Sequence, residues 1–147
     1  MTRRLACLAL LLLAPCAALR AEDSDYTLGR DSMEKPDVPH GKVTKMPPWT
    51  SKIFDGTVRD WWVYVPAQYD PKTPACFMVF QDGGGYVNLK GDFRVPTVFD
   101  NLIADKGMPV TIGIFIQPGV IPPPEGDKAA KPRQNRSFEY DTLSDQY

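Results

Sequence analysis

Three consecutive glycines, Gly83, Gly84 and Gly85, follow directly on a short apolar run over residues 75–80. An apolar run of this length bounded by glycine predicts a buried strand. Glycines just past a strand end leave backbone N–H groups free of side chains and able to adopt positive φ. Such N–H groups can hold a developing oxyanion, and losing one donor of this kind costs ~10²–10³ in rate. The N–H groups of Gly84, Gly85 and Tyr86 are the oxyanion-hole candidates, and Asp82, just before the glycines, is a candidate substrate contact. The competing reading is a glycine-rich surface turn with no chemistry.

Downstream, Arg136 is a second substrate-binding candidate, since a guanidinium at the edge of a sheet could take an acidic substrate group. The simpler and preferred reading of Arg136 and Glu139 is a salt bridge or buried hydrogen-bond network that ties the long loop to the body. No G-x-S-x-G occurs, and Ser137 and Ser144 have the wrong flanks for a strained strand–turn–helix. The single histidine, His40, precedes the apolar strands and reads as a solvated residue. Candidates for nucleophile, acid and base are therefore absent from these 147 residues. Cys76, amid Phe77, Met78 and Val79, reads as a small core residue. Trp61 and Trp62 could stack on a ligand, but packing is the simpler account. Asn135-Arg136-Ser137 matches N-x-S, which would matter only on a eukaryotic secretory route. No spacing of histidine, cysteine or carboxylates predicts a metal site, and no motif predicts a cofactor.

The elements that must position these groups start after a targeting segment. Arg3 and Arg4, an apolar run over residues 5–13 and small residues over 14–21 form the layout of a secretory signal peptide. Pro15 before Cys16 argues against a lipid anchor. The expectation is a signal over 1–21, a secreted or periplasmic product, and no membrane contact after cleavage. Removing residues 1–21 takes away Arg3, Arg4 and Arg20 from the 17 basic side chains and none of the 18 acidic ones, shifting the formal charge from −1 to about −4. No basic patch suits nucleic acid. Cys7 and Cys16 leave with the signal, so Cys76 has no disulfide partner within the chain.

Residues 22–41 are polar and unpatterned and predict a flexible leader. Residues 51–54 and 58–66 flank Asp55-Gly56-Thr57 and predict a β-hairpin, with Trp61, Val63 and Val65 on one face, Trp62 and Tyr64 on the other, and both faces covered. Val95, Val98, Phe99, Leu102 and Ile103 predict an amphipathic helix over 95–106, with Pro96 in its first turn and Gly107 at C′. Residues 110–117 predict a second buried strand. Strand, helix and strand make a βαβ unit with a parallel pair and right-handed crossover. The proline-rich stretch 118–136 predicts a long loop at the C-terminal edge of that sheet, where α/β proteins bind ligands. Asp141 predicts the start of a further helix.

This order of features resembles the secreted esterase family of α/β-hydrolases, in its enterochelin-esterase-like branch. The resemblance rests on Val63-Tyr64-Val65-Pro66, Phe80-Gln81-Asp82-Gly83, the Pro96–Ile103 helix, the strand to Gln117, and Arg136-Ser137-Phe138-Glu139-Tyr140-Asp141 followed by Asp145-Gln146-Tyr147. It covers residues 42–147 and implies an α/β fold: the N-terminal part of a hydrolase sheet, with an antiparallel hairpin leading into parallel strands. It implies a truncated serine esterase, with its Ser, acid and His downstream of Tyr147, acting on a small-molecule or polysaccharide-linked ester. The alternative is a non-catalytic secreted module that binds a ligand or partner. A sheet made of the early strands alone leaves an edge and faces uncovered, so the chain is expected to be marginal or sticky.

Overall fold

The structure, a computed structural model, describes residues 26–127, 129–143 and 145. The expected signal over residues 1–21 lies outside the described residues. Eight strands and three helices follow in the order β1 (Lys42–Lys45), β2 (Trp49–Thr50), β3 (Val58–Arg59), β4 (Trp61–Val65), β5 (Cys76–Gln81), α1 (Gly83–Val87), α2 (Val95–Ala104), β6 (Thr111–Ile116), β7 (Val120–Ile121), β8 (Arg133–Gln134) and α3 (Arg136–Tyr140). They form two four-stranded sheets, ordered β1-β4-β6-β5 and β2-β3-β7-β8.

The first sheet carries the expected α/β architecture. β4 is antiparallel to β1 and to β6, whereas β5 and β6 are parallel, from Cys76 beside Thr111 to Gln81 beside Ile116. The link between β5 and β6 is the amphipathic helix α2, as a parallel pair requires. Tyr64, Val95, Phe99, Ile103 and Phe115 form the core between α2 and the sheet. Phe80 stacks on Phe115 with centroids 4.9 Å apart, and Phe99 meets Tyr64 edge-on at 5.8 Å.

Among the described residues, helices cover only one face of this sheet. β6 alternates buried and half-buried residues, Thr111, Gly113 and Phe115 inward, Ile112, Ile114 and Ile116 outward. On the open side Phe77 is 71% and Val79 49% exposed. The expectation that both faces of the tryptophan strand are covered therefore holds for the Tyr64 side alone. β5 is an edge strand and not the buried strand predicted, and Cys76 is exposed rather than core. Its composition suits a strand flanked on both sides, but here a neighbour stands on one side only.

The hairpin is also rearranged. Trp49 and Thr50 pair with Arg59 and Val58, so residues 51–57 are the loop. The Ser51 hydroxyl accepts the N–H groups of Ile53 (3.1 Å) and Phe54 (2.9 Å), which draws this run out of the ladder and into a turn. At Asp60 the following strand passes from the second sheet to the first. The stretch 118–136 is not structureless: β7 and β8 pair within it.

Two helix ends differ from expectation. α2 stops at Ala104 in a Schellman motif, where Gly107 N–H donates to the Leu102 carbonyl (2.8 Å) and Lys106 N–H to that of Ile103 (3.2 Å). The left-handed C′ position is Lys106 (φ 58°), one residue before the glycine. The C-terminal helix precedes Asp141, which caps it from the far end. The described part of the expected leader lies along α2: Asn101 Nδ2 donates to the carbonyls of Asp31 (2.8 Å) and Met33 (2.9 Å), and Lys35 Nζ bridges Asp31 and Asp105 at 3.3 and 3.4 Å.

Candidate functional site

β5 and β6 end together at one edge of the first sheet. There Asp82 turns the chain with φ 54° and ψ 36°, and α1 begins at once with Gly83, Gly84 and Gly85. The left-handed conformation is uncommon for a residue with a Cβ, though Asp tolerates it better than most. Gly83 is required by a close approach, because a Cβ there would run into the main chain of Phe115 and Ile116. The glycines thus let a helix start directly against the end of the neighbouring strand.

The first turn of a helix has no internal acceptors for its N–H groups. Among the three candidate donors, Gly85 N–H is engaged, donating to the Asp82 carbonyl at 3.1 Å. Tyr86 stands where an intrahelical acceptor first becomes available, and its ring packs between Phe80 (5.3 Å) and Phe93 (4.6 Å). Gly84 remains within the first turn, and the Gln117 side-chain amide stands against it.

Asp82 and Arg136, 54 residues apart, meet in a bidentate pair. Arg136 Nε donates to Oδ1 at 2.8 Å and Nη2 to Oδ2 at 2.7 Å. Both side chains are about half exposed. The Arg136 hydrogen bonds hold the Asp82 carboxyl below the usual carboxylate range, and the carboxylate raises the Arg136 guanidinium in turn. The Arg136 guanidinium also lies 5.3 Å from the Tyr140 ring centre.

Glu139 takes no part in that pair. It is buried and accepts three hydrogen bonds: Arg59 Nη2 (3.2 Å) and Asn135 Nδ2 (3.0 Å) at Oε1, and Gly119 N–H (3.0 Å) at Oε2. A Cβ on Gly119 would collide with Glu139 and Thr57, so glycine is needed there. Arg59 is itself buried, lies 5.6 Å from the Trp49 ring centre, and keeps a buried Nε without a hydrogen-bond partner. Sequence reasoning missed Arg59 and Asn135. Their signal is faint: an arginine inside a β-branched run, and an asparagine four residues before the glutamate.

Between these groups lies a cavity of about 570 Å³, walled by Pro118, Pro122, Pro123 and Pro132 and lined by Asp60, Asp82, Gln117 and Gln134. Of the glycine turn, Asp82 reaches its wall. Such a site can present backbone and amide N–H donors to an anionic oxygen beside a rigid apolar wall.

His40 lies apart from this edge. Its Nδ1 is 3.3 Å from buried Asp100, whose other oxygen accepts Gly41 N–H (2.8 Å) and the Tyr64 hydroxyl (2.5 Å). His40 is thus half-exposed and tied to α2, not simply solvated. Burial and then the Asp100 hydrogen bond push the Tyr64 phenol far above its ordinary pKa. The cluster fixes the chain entering β1 onto α2. Its sequence signal was available: Asp100 and Asn101 are polar residues within the inward arc of an amphipathic helix. Among the described residues no group of three histidine, cysteine or acidic side chains is placed to hold a metal ion.

No family profile matches the chain, and no curated protein matches it. Among solved structures it is similar to FAE, at 18% identity and a TM-score of 0.47, over 63% of this chain and 32% of that one. It is also similar to a serine-to-alanine mutant of the feruloyl esterase module from Clostridium thermocellum complexed with sinapinate, at 19% identity and a TM-score of 0.43, over 60% of this chain and 31% of that one. The chain spans about a third of the length of each.

Proposed function

We propose that this chain carries the oxyanion-binding part of a secreted serine carboxylic-ester hydrolase of the α/β-hydrolase type, close to the enterochelin-esterase-like branch, with the nucleophile, acid and base outside residues 1–147. The observation that carries the reading is the strand–turn–helix at Asp82–Gly85, placed where two parallel strands end, with Asp82 on the wall of a cavity. Gly84 N–H is the proposed donor, with the Gln117 amide beside it. The substrate is a small-molecule or polysaccharide-linked ester. Secretion is supported by the charge and apolar pattern of residues 3–21.

The test is to read the coding sequence past Tyr147 and express its full product. A G-x-S-x-G about 25–40 residues further on, one helix and one strand later, is expected. In that product, in a Gln117→Ala background that clears the side chain a Cβ on Gly84 would meet, Gly84→Pro, which removes the N–H, should lower kcat by ~10²-fold, while Gly84→Ala, which keeps it, should cost far less. Equal activity of the two variants would refute the assignment of this donor. Absence of the motif would refute the hydrolase. A second reading, a non-catalytic ligand-binding module, is favoured by the proline-walled cavity alone, and ligand-induced stabilisation without turnover would establish it.

A further inference from the structure

Asp82 adopts a left-handed conformation that a residue with a Cβ holds only when its surroundings impose it. One side of the turn is fixed: Gly83 lies hard against β6. On the other side Arg136 grips both carboxylate oxygens of Asp82. Arg136 opens α3, and α3 is itself pinned by Glu139 three residues on, through the buried bonds to Arg59, Asn135 and Gly119. A rigid path therefore runs from a buried charge network, through one short helix, to the residue that sets where the glycine N–H groups point.

We propose that Arg136 is the positioning residue of the glycine turn: its bidentate grip on Asp82 holds the left-handed turn closed and so aims the first-turn N–H groups. The aiming clause rests on the function proposed above; the latch itself does not, and it can be tested on this chain without any activity. Loss of the latch would leave the esterase reading standing, and absence of the downstream motif would leave the latch standing.

The latch has a pH signature. Asp82 is held ionised to lower pH than an ordinary carboxyl, so the closed turn is fully present above the ordinary value and is lost as pH falls through the lowered one. Lys45 Nζ holds Asp60 at 2.8 Å on the far wall, and Asp141 adds to the field at Arg136, so these groups are the charged neighbours to be considered.

The experiment uses amide NMR and hydrogen exchange on the purified chain. In the wild type the Gly83, Gly84 and Gly85 amide shifts should titrate with a midpoint below the ordinary ~3.9 of an aspartate. In Arg136→Gln that midpoint should rise toward the ordinary value, and exchange at Gly85, whose N–H is bonded to the Asp82 carbonyl, and at Tyr86 should quicken about tenfold or more while β4 and β6 stay protected. Arg136→Lys, which offers one point charge instead of a fork, should restore part of the protection. Asp82→Gly, which takes a positive φ at little cost, should keep the turn closed and make a further Arg136→Gln silent. The proposal is overturned if Arg136→Gln leaves exchange at Gly85 and Tyr86 unchanged. It is equally overturned if exchange rises alike in β6, or if Arg136→Gln still opens the turn in the Asp82→Gly background.

Discussion

Replacing Glu139 by Gln preserves its volume and removes one charge, yet it should be among the most damaging single substitutions. The Glu139 side chain is fully buried and that of Arg59 is 5% exposed. Both carboxylate oxygens accept only from donors: Arg59 and Asn135 on one, the Gly119 backbone on the other. Glutamine must turn its NH2 toward one of these sets, so a donor faces a donor in either orientation, and the Arg59 cation loses its counter-charge. Breaking a buried pair from one side costs about 3–5 kcal/mol. Against a typical total of about 5–15 kcal/mol, that is about a fifth or more of the stability of an ordinary domain. Urea unfolding followed by tryptophan fluorescence is the assay, and Trp49, stacked over Arg59, should report the local change. In the double variant Arg59→Met with Glu139→Gln no cation is stranded, so the combined cost should fall short of the sum by about 0.5–3 kcal/mol. A cost below about 1 kcal/mol for Glu139→Gln, or strict additivity in the cycle, would show that the network does not hold the β7–β8 connection as argued.

Lys106→Gly should stabilise the chain by about 1 kcal/mol, measured as a shift in urea midpoint, because it relieves a left-handed residue at the Schellman C′ position. Gly83→Ala should destabilise it by about 2 kcal/mol or more, since the added Cβ meets the main chain of β6 and not a movable side chain; circular dichroism melts would show this. Tyr64→Phe should cost about 1–3 kcal/mol near neutral pH by taking a donor from buried Asp100. The Tyr64 phenol is raised, so its contribution is fully present below the ordinary ~10 and is lost as pH climbs through the higher folded value. Alkaline unfolding should accordingly be less steep in the phenylalanine variant. Phe77→Lys, on the open face of an edge strand, should change stability by less than about 0.5 kcal/mol and reduce self-association in light scattering. A larger loss would mean that this face is covered after all.

The parts of the fold legible in the sequence were those governed by local pattern. The 3.6-residue spacing of Val95, Val98, Phe99, Leu102 and Ile103 places α2 on the sheet, and the apolar runs on either side of it become the parallel pair. Glycines after an apolar run mark the turn into α1. What escaped was decided by partners distant in sequence. Nothing near Cys76 tells that β5 lacks a neighbour, and the Ser51 hydroxyl wins two N–H groups that a hairpin would have used. Arg59 and Glu139, separated by 80 residues, could not be joined by reading either segment.

These misses share a physical cause, and it bears on the site. A parallel strand carries apolar side chains on both faces because helices normally cover both. β5 and β6 have that composition, but α2 covers one face alone, leaving Ile112, Ile114 and Ile116 half-buried and Phe77 in water. The edge where Asp82 and the glycines sit is therefore not rigidified by layers on both sides, as a complete α/β sheet would be. Its rigidity must come from elsewhere, and the second sheet supplies it. β2, β3, β7 and β8 bring Arg59, Gly119 and Asn135 to Glu139, and α3 carries that fixed point to Arg136 and so to Asp82. On this account the proline-rich stretch is less a lid over the cavity than a strut for the glycine turn. Loosening the buried network should disturb the glycine turn more than an equal loss of core packing beneath α2.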